Sequence, residues 1–140
     1  MIEDKIYTSG FINEYPSTNP NQKEIVRWVK EQGGKPCVSG GDGPVTFDSS
    51  GLAYYCHDKK IPRKSNIQAK SGIPFHRDEL KTGDLMFGNI DGDGTISLIT
   101  FYIGEGRMIY ASGPGERVKE SDSSSNCWDP KYVTARRYWN

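Results

Sequence analysis

The spacing of apolar residues changes at Gly72, and this change constrains the fold more than any other feature of the sequence. Before Gly72 the apolar residues recur at helical intervals. After it, short runs of β-branched and aromatic residues are separated by Gly, Asp and Ser, which is typical of strands and turns. Helices followed by a series of strands predict an α+β fold, in which N-terminal helices pack on a central antiparallel sheet.

Three helices are predicted in the first half of the chain. Asn21 is placed to cap the first, which carries an apolar stripe in "EIVRWV" and ends at a glycine pair. Asp48 is placed to cap a second helix that runs to about Lys59. Ser65 is placed to cap a short third helix in "SNIQAKSG".

Four runs in the second half predict strands, namely "DLMFG", "ISLITFYIG", "RMIYASG" and "YVTARRYW". The segments "NIDGDGT" and "GEG" between them predict hairpin turns, and "KESDSSSNCWDP" predicts a polar surface loop. Asp91 and Asp93 resemble part of a calcium-binding loop. The glutamate that such a loop needs is absent at the required offset, so a turn is favoured.

Charge and hydropathy exclude several classes of function. Eighteen Lys and Arg balance 18 Asp and Glu, which argues against a general affinity for nucleic acid or for an anionic membrane surface. No apolar run is long enough to span a bilayer. The N-terminus lacks the pattern of a secretory signal. The expected location is extracellular or in the cell wall if a signal has been removed, and otherwise cytoplasmic.

Cysteine and histidine are too few and too scattered for a disulfide framework or a metal site. The chain has three cysteines and two histidines, and no short spacing joins them. Neither a metal nor a cofactor is therefore expected. Cys56 is predicted in the core, His57 on the surface of the second helix, and His76 in a solvated loop.

Four segments, in one order and over most of the span from Ile25 to Arg137, resemble the NlpC/P60 family. They are "GKPCVSGGDGPVTFDSSGLAYY", "IPRKSNIQAKSG", "LKTGDLMFG" and "SLITFYIGEGRMIYASG". The resemblance implies a papain-like fold and relatives that are cysteine peptidases cutting peptidoglycan stem peptides. It also implies one NlpC/P60-like domain over residues 21–140. The polar composition of residues 1–20, with Pro16 and Pro20, predicts an irregular arm before that domain.

The resemblance places the family's catalytic positions on residues of a different chemistry. The cysteine nucleophile falls on Ser49, the general-base histidine on Leu98, and the third polar residue on Tyr110. The tyrosine near the family's oxyanion site falls on Cys37. Leu98 cannot accept a proton, and a serine without a base is a poor nucleophile. We therefore expect no papain-type peptidase activity.

Binding is the function that these substitutions leave. The resemblance implies a groove that holds a peptidoglycan stem peptide or another peptide without cutting it, lined by Cys37, Gly40, Gly41, Asp48, Ser50 and Arg63. Whether Asp48 and Arg63 line the groove or only support it stays open.

Two alternatives remain at this point. The first is a residual or redirected hydrolase acting on stem peptides, with Ser49 an engineered replacement of a native cysteine. The second is a role in assembly, through a protein partner or a second copy of the chain. In that case Trp128, Trp139 and the N-terminal arm would lie on the surface and form the interface.

Overall fold

The computed structural model describes residues 21–123 and 128–139, and their strands form a six-stranded sheet. The strands are β1 (Ile73–Pro74), β2 (Leu85–Gly88), β3 (Leu98–Gly104), β4 (Arg107–Ala111), β5 (Val118–Asp122) and β6 (Tyr132–Arg137). Their order is β1-β6-β2-β3-β4-β5, and all neighbours are antiparallel. The helices α1 (Gln22–Glu31), α2 (Ser49–Cys56) and α3 (Ser65–Gln68) precede the sheet. This arrangement confirms the predicted α+β class.

The buried apolar residues form two clusters, one on each face of the sheet. On the first face, Ile99 and Phe101 of β3 pack in one cluster with Leu52 of α2. The second cluster has four buried members: Met86, Leu98, Met108 and Trp128. Successive strand residues point to opposite faces, so Leu98 and Ile99 belong to different clusters. Leu98 is also the first residue of β3, which places it at an end of the sheet.

The first two helices begin where the sequence predicts. The Asn21 side chain accepts a hydrogen bond from the Glu24 N–H at 3.0 Å, and Ile25 and Val29 are fully buried. The Asp48 carboxylate accepts a hydrogen bond from the Gly51 N–H at 2.6 Å. Both side chains satisfy amide groups that the first turn of a helix leaves without a partner.

The end of α2 differs from the prediction, because the helix stops at Cys56 rather than near Lys59. Asp58 and Lys59 adopt left-handed backbone conformations, with φ of 56° and 58°. Their N–H groups donate to the carbonyls of Tyr55 and Tyr54, which is the pattern of a Schellman motif. Nothing in the side chains of Asp58 and Lys59 signals this stop, since glycine is the residue that usually marks it.

The start of α3 and the two edge strands are also corrected. Lys64, not Ser65, precedes the first helical residue, and its side chain makes no capping bond. The sequence does not predict β1, and it places most of β5 in a surface loop. Only Val118 of β5 is buried, and the rest of this edge strand is exposed or partly exposed on both faces, so it lacks the apolar alternation that predicts a strand. The "GEG" turn is confirmed, with positive φ at Glu105 and Gly106 between β3 and β4.

The two tryptophans that the sequence places on the surface are buried. Trp128 is 3% exposed, within the second cluster, and Trp139 is 8% exposed, within the first. The prediction that these two side chains form an assembly interface on the surface is therefore wrong. The predicted arm over residues 1–20 lies outside the described residues, so this division of the chain stays a prediction. No helix in the described ranges has the length and hydrophobicity that a membrane span requires.

Candidate active site

Ser49 lies at the N-terminus of α2, and the preceding residue fixes the local geometry. Asp48 Oδ1 accepts hydrogen bonds from the Gly51 N–H at 2.6 Å and from Ser50 Oγ at 3.2 Å. Asp48 Oδ2 accepts from the Gly40 N–H at 3.0 Å and from Arg63 Nη2 at 3.1 Å. A carboxylate offers about four acceptor positions, and these four donors occupy them. Asp48 is therefore a structural cap and has no free position for the Ser49 proton.

The Arg63 guanidinium links this cap to the loop that carries Asp42. Its Nη1 donates to Ser50 Oγ at 2.7 Å, and its Nε lies 3.8 Å from an Asp42 carboxylate oxygen. The guanidinium therefore connects the loop that carries Asp42 with the first turn of α2. This geometry favours a supporting role for Arg63 and Ser50.

A close backbone approach explains the glycines beside the helix. A Cβ atom built on Gly51 would lie 1.9 Å from the Gly41 carbonyl oxygen, and one built on Gly41 would lie 2.8 Å from Phe47 N. The Gly41 carbonyl also accepts the Asp48 N–H at 2.7 Å. Any side chain at Gly41 or Gly51 would push the loop away from the helix start, so these two positions require glycine.

A pocket of about 160 Å³, named here the Ser49 pocket, opens at this helix start. It is lined by Cys37, Val38, Ser39, Phe47, Asp48, Ser49, Ser97, Leu98, Ala111, Ser112, Gly113 and Pro114. Ser49 and Leu98 thus face one space, as the resemblance implies for a nucleophile and its base. Within the described residues, no side chain forms a hydrogen bond with the Ser49 hydroxyl.

Tyr110 lies in a second space on the other side of Leu98. This pocket, named here the Tyr110 pocket, has a volume of about 400 Å³. It is lined by Ile90, Leu98, Met108, Tyr110, Ser121, Asp122, Trp128 and Lys131. The Tyr110 hydroxyl lies 3.2 Å from Ser121 Oγ, and Lys119 Nζ lies 5.9 Å from the centre of its ring. Leu98 is therefore the wall shared by both pockets.

Neither histidine of the chain is near Ser49. His57 follows α2 at its far end, eight residues and roughly 12 Å along the helix axis from Ser49. It is fully buried, which corrects the predicted surface position, and it stacks on Phe101 with ring centres 5.7 Å apart. His76 is exposed and precedes a 3-10 helix next to β1, at the opposite edge of the sheet from β5. Neither imidazole can serve as a base for Ser49.

The buried His57 predicts a specific dependence of stability on pH. Burial lowers the pKa of His57 to about 4, and its hydrogen bond to the Ala53 carbonyl offsets this only in part. Between about pH 6.5 and pH 4 the unfolded chain takes up a proton that the folded chain does not. Stability should therefore fall by up to about 1.4 kcal/mol per pH unit, or about 3 kcal/mol in all, as the pH drops through this window.

Urea unfolding at pH 7, 5.5 and 4 measures this contribution as the difference between the wild type and His57→Gln. The variant should lose the slope that His57 causes, whereas the control His76→Gln should keep it because His76 is exposed. Equal slopes for the wild type and His57→Gln would contradict the prediction.

The cysteines in the described residues are buried, and one of them faces the Ser49 pocket. Cys37 is 3% exposed and lines that pocket, whereas Cys56 is fully buried in the core. Burial raises the pKa of the Cys56 thiol far above its ordinary value, which keeps it protonated. Cys127 lies outside the described residues. The described ranges contain no group of three or more His, Cys, Asp or Glu side chains able to hold a metal ion.

The structure brings together some of the residues that the sequence predicts and separates others. Ser49, Leu98, Cys37 and Asp48 share the Ser49 pocket. Gly40, Gly41, Ser50 and Arg63 do not line it, and their role in binding stays a prediction. The sequence does not predict Ser97 and Ser112 as pocket residues. Their positions gave a signal, since Ser97 directly precedes Leu98 and Ser112 follows Tyr110 by two residues. Nothing in the sequence marks residues 113–114, Val38 or Ser39 as residues that line a pocket.

These features define an α+β protein with a candidate active-site pocket at the N-terminus of a helix. The chain belongs to the NlpC/P60 family, whose model matches residues 34–137. The predicted family is therefore confirmed.

Individual relatives agree with this assignment. The chain is 38% identical over 122 residues to murein DD-endopeptidase MepH of Escherichia coli, covering 82% of this chain and 45% of the relative. It is 30% identical over 130 residues to a gamma-D-glutamyl-L-lysine dipeptidyl-peptidase of Bacillus cereus, covering 90% and 38%. The crystal structure of an NlpC/P60 family protein from Bacillus cereus superposes with a TM-score of 0.78 at 30% identity, covering 91% and 43%. The chain thus spans less than half the length of each of these proteins.

Proposed function

We propose that this chain is a non-cleaving NlpC/P60 protein that binds a peptide, with a peptidoglycan stem peptide as the first candidate. The observation that carries the proposal is the composition of the Ser49 pocket. Leu98, an aliphatic residue, faces Ser49 where the family resemblance expects an imidazole. Asp48, the nearest carboxylate in sequence, already accepts four hydrogen bonds.

The helix N-terminus alone does not activate Ser49. A helix end stabilises an adjacent anion by roughly 0.3–1 kcal/mol, and by up to about 2 kcal/mol when it is partly buried. Lowering the pKa of an aliphatic hydroxyl to neutrality needs several units, each worth about 1.4 kcal/mol. The helix dipole therefore falls short, and no proton acceptor among the described residues makes up the difference.

The two pockets define the ligand that this site suits. The walls of the Tyr110 pocket include Leu98, Met108 and the ring of Trp128, and its polar groups are those of Tyr110, Ser121, Asp122 and Lys131. Its volume of about 400 Å³ is in the range of small-molecule sites. The names of the relatives refer to murein and to gamma-D-glutamyl-L-lysine peptides, and this is the reason for choosing stem peptides as the first ligand class. In such a peptide the methylene stem of the lysine side chain would enter the Tyr110 pocket while the backbone lies along the Ser49 pocket. In another peptide an apolar or aromatic side chain would take the same place.

Two measurements on the full chain test this function. Incubation with purified peptidoglycan and with stem peptides should release no new fragments by mass spectrometry. Titration with the same peptides, followed by NMR, should shift the amide signals of Ser49, Leu98 and Tyr110. Tyr110→Ser should weaken binding by about tenfold because it removes an aromatic wall. The control Ile67→Ser changes an exposed apolar residue outside both pockets and should have no effect.

Each outcome separates the proposal from its alternatives. Cleavage by the unaltered chain that is lost in Ser49→Ala would identify a residual hydrolase and contradict the proposal. Saturable shifts confined to other parts of the chain would show that the two pockets are not the binding site. No shift with any stem peptide or unrelated peptide would exclude peptide binding.

A further inference from the structure

A third pocket lies at the opposite edge of the sheet from the Tyr110 pocket. It has a volume of about 420 Å³ and is formed by the end of the edge strand β1, the segment after it, and the neighbouring strand β6. It is named here the Arg136 pocket, and it is lined by Pro74, Phe75, His76, Arg77, Glu79, Tyr132, Val133, Thr134 and Arg136. None of these residues lines the Ser49 or the Tyr110 pocket, so this pocket uses side chains other than those of the proposed function.

Arg136 combines partial burial with the lack of an acidic partner among the described residues. Within the described ranges, five arginines form an ion pair within 4.0 Å: Arg27, Arg63, Arg77, Arg107 and Arg137. Arg117 forms none in the described part of the chain, but it is exposed to solvent. Arg136 is half-buried, and its Nη1 donates to Thr134 Oγ1 at 3.0 Å and to the Ala135 carbonyl at 2.9 Å. Its Nε and Nη2 make no hydrogen bond within the described ranges.

Partial burial of a guanidinium whose Nε and Nη2 have no hydrogen-bond partner in the described ranges disfavours its charged form. Removal from water disfavours the charged form, and this desolvation is the main reason why the pKa of Arg136 is lowered. An anion bound at the fork would accept hydrogen bonds from Nε and Nη2 and would compensate the charge. The planar fork of arginine suits a carboxylate, which can accept two parallel N–H bonds.

The remaining walls fit an organic acid rather than a bare ion. Phe75 and Pro74 are apolar, and Tyr132 offers a phenol whose pKa is raised by burial, so it stays a neutral hydrogen-bond donor. Arg77 is already used, because it pairs with Asp129 and stacks 4.7 Å from the centre of the Tyr132 ring. Glu79 is exposed and forms no ion pair with Arg136 in the described part of the chain.

We propose that the Arg136 pocket binds the free C-terminal carboxylate of a short peptide, with the Arg136 fork on the carboxylate and the terminal side chain between Phe75 and Tyr132. The volume of the pocket suits a ligand of dipeptide size. Arg136 is the group that recognises the charge, and Tyr132, which lines the same pocket, would donate a hydrogen bond from its hydroxyl.

The test compares an acid with its neutral analogue on the unaltered chain. The probes are N-acetyl-alanyl-phenylalanine, its C-terminal amide, and inorganic phosphate, each titrated while NMR follows the amides of residues 75–79 and 132–136 and the Arg136 side-chain N–H. The acid should give saturable shifts, and the amide should bind at least about tenfold more weakly because it cannot accept a charge-assisted pair of bonds. Equal binding of acid and amide would overturn the proposal. Phosphate bound as tightly as the acid would overturn the assignment to a carboxylate.

Substitutions then locate the effect. Arg136→Gln should weaken binding of the acid at least about tenfold, and Arg136→Lys should weaken it several-fold because the ammonium keeps the charge but loses the fork. The control Arg117→Gln removes an exposed arginine that has no acidic partner within the described residues, and it should bind the acid as the unaltered chain does. Unchanged binding in a folded Arg136→Gln chain would refute the role of Arg136. The comparison of acid and amide decides the matter even if that variant fails to fold.

Discussion

Replacing Ser49 by cysteine, Leu98 by histidine and Tyr110 by histidine in one chain is expected to create measurable cleavage of peptidoglycan stem peptides. A thiol at position 49 would lie at the N-terminus of α2, where the helix dipole favours the thiolate. An imidazole at position 98 would share the Ser49 pocket with that thiol and could take its proton. A second imidazole at position 110 would adjoin position 98 in the Tyr110 pocket and could orient the base.

The expected gain is large because the three groups act as one unit. A positioned general base contributes roughly 10²–10⁴-fold in rate, and a nucleophile without its base loses most of that acceleration. The triple variant should therefore cleave at least about 100-fold faster than Ser49→Cys alone, which should stay at background. Release of fragments from stem peptides, measured by mass spectrometry, gives both rates.

A matched control moves the thiol by one residue. Ser50→Cys combined with the same two histidines carries the same groups, but Ser50 Oγ points to Asp48 and Arg63 rather than lining the Ser49 pocket. This control should be inactive. A folded triple variant that is no more active than the control would mean that positions 49, 98 and 110 do not form a triad geometry.

The parts of the fold that the sequence predicts are those fixed by contacts close along the chain. Asn21 and Asp48 cap helices through amides three residues away, and two-residue turns depend on the backbone freedom of their own residues. The sequence does not predict the end of α2, because two non-glycine residues adopt left-handed conformations there. The sequence does not predict the edge strand β5 either, because only Val118 among its residues is buried.

Burial that depends on distant segments could not be predicted from the sequence. The His57 ring is covered by two residues that are distant along the chain, Phe101 of β3 and Tyr138. Trp128 and Trp139 are buried for the same kind of reason, by residues that are remote along the chain.

The candidate site shows the same division between local and distant information. Ser49 and Asp48 were predictable because a cap and the first residue of a helix are neighbours in sequence. The meeting of Ser49 with Leu98 required the family resemblance, since no local rule pairs a helix start with a strand start. Tyr110 lies in a separate pocket because of the β3–β4 pairing and because Trp128, which the sequence places on the surface, is buried beside it.

Asp84→Asn is expected to destabilise the protein by about 3–5 kcal/mol, because it leaves a buried guanidinium without its counter-charge. Asp84 is fully buried, and its two oxygens accept from Arg137 Nε at 2.7 Å and from Arg137 Nη2 at 2.6 Å. The guanidinium also lies 3.6 Å from the ring centre of Phe75 and 4.5 Å from that of Trp139, so it cannot easily turn to water. Urea unfolding followed by tryptophan fluorescence measures the loss.

An exposed ion pair provides the control for this prediction. Arg107 Nε lies 3.0 Å from Glu120 Oε2, with both side chains about half exposed, and Glu120→Gln should change stability by less than about 1 kcal/mol. A loss below about 1 kcal/mol for Asp84→Asn would contradict the prediction. Replacing Asp84 by leucine together with Arg137 by methionine separates the two costs, since removing both charges avoids a lone buried ion. If that double variant is clearly more stable than Asp84→Asn, the unpaired Arg137 charge causes the loss rather than the missing contacts.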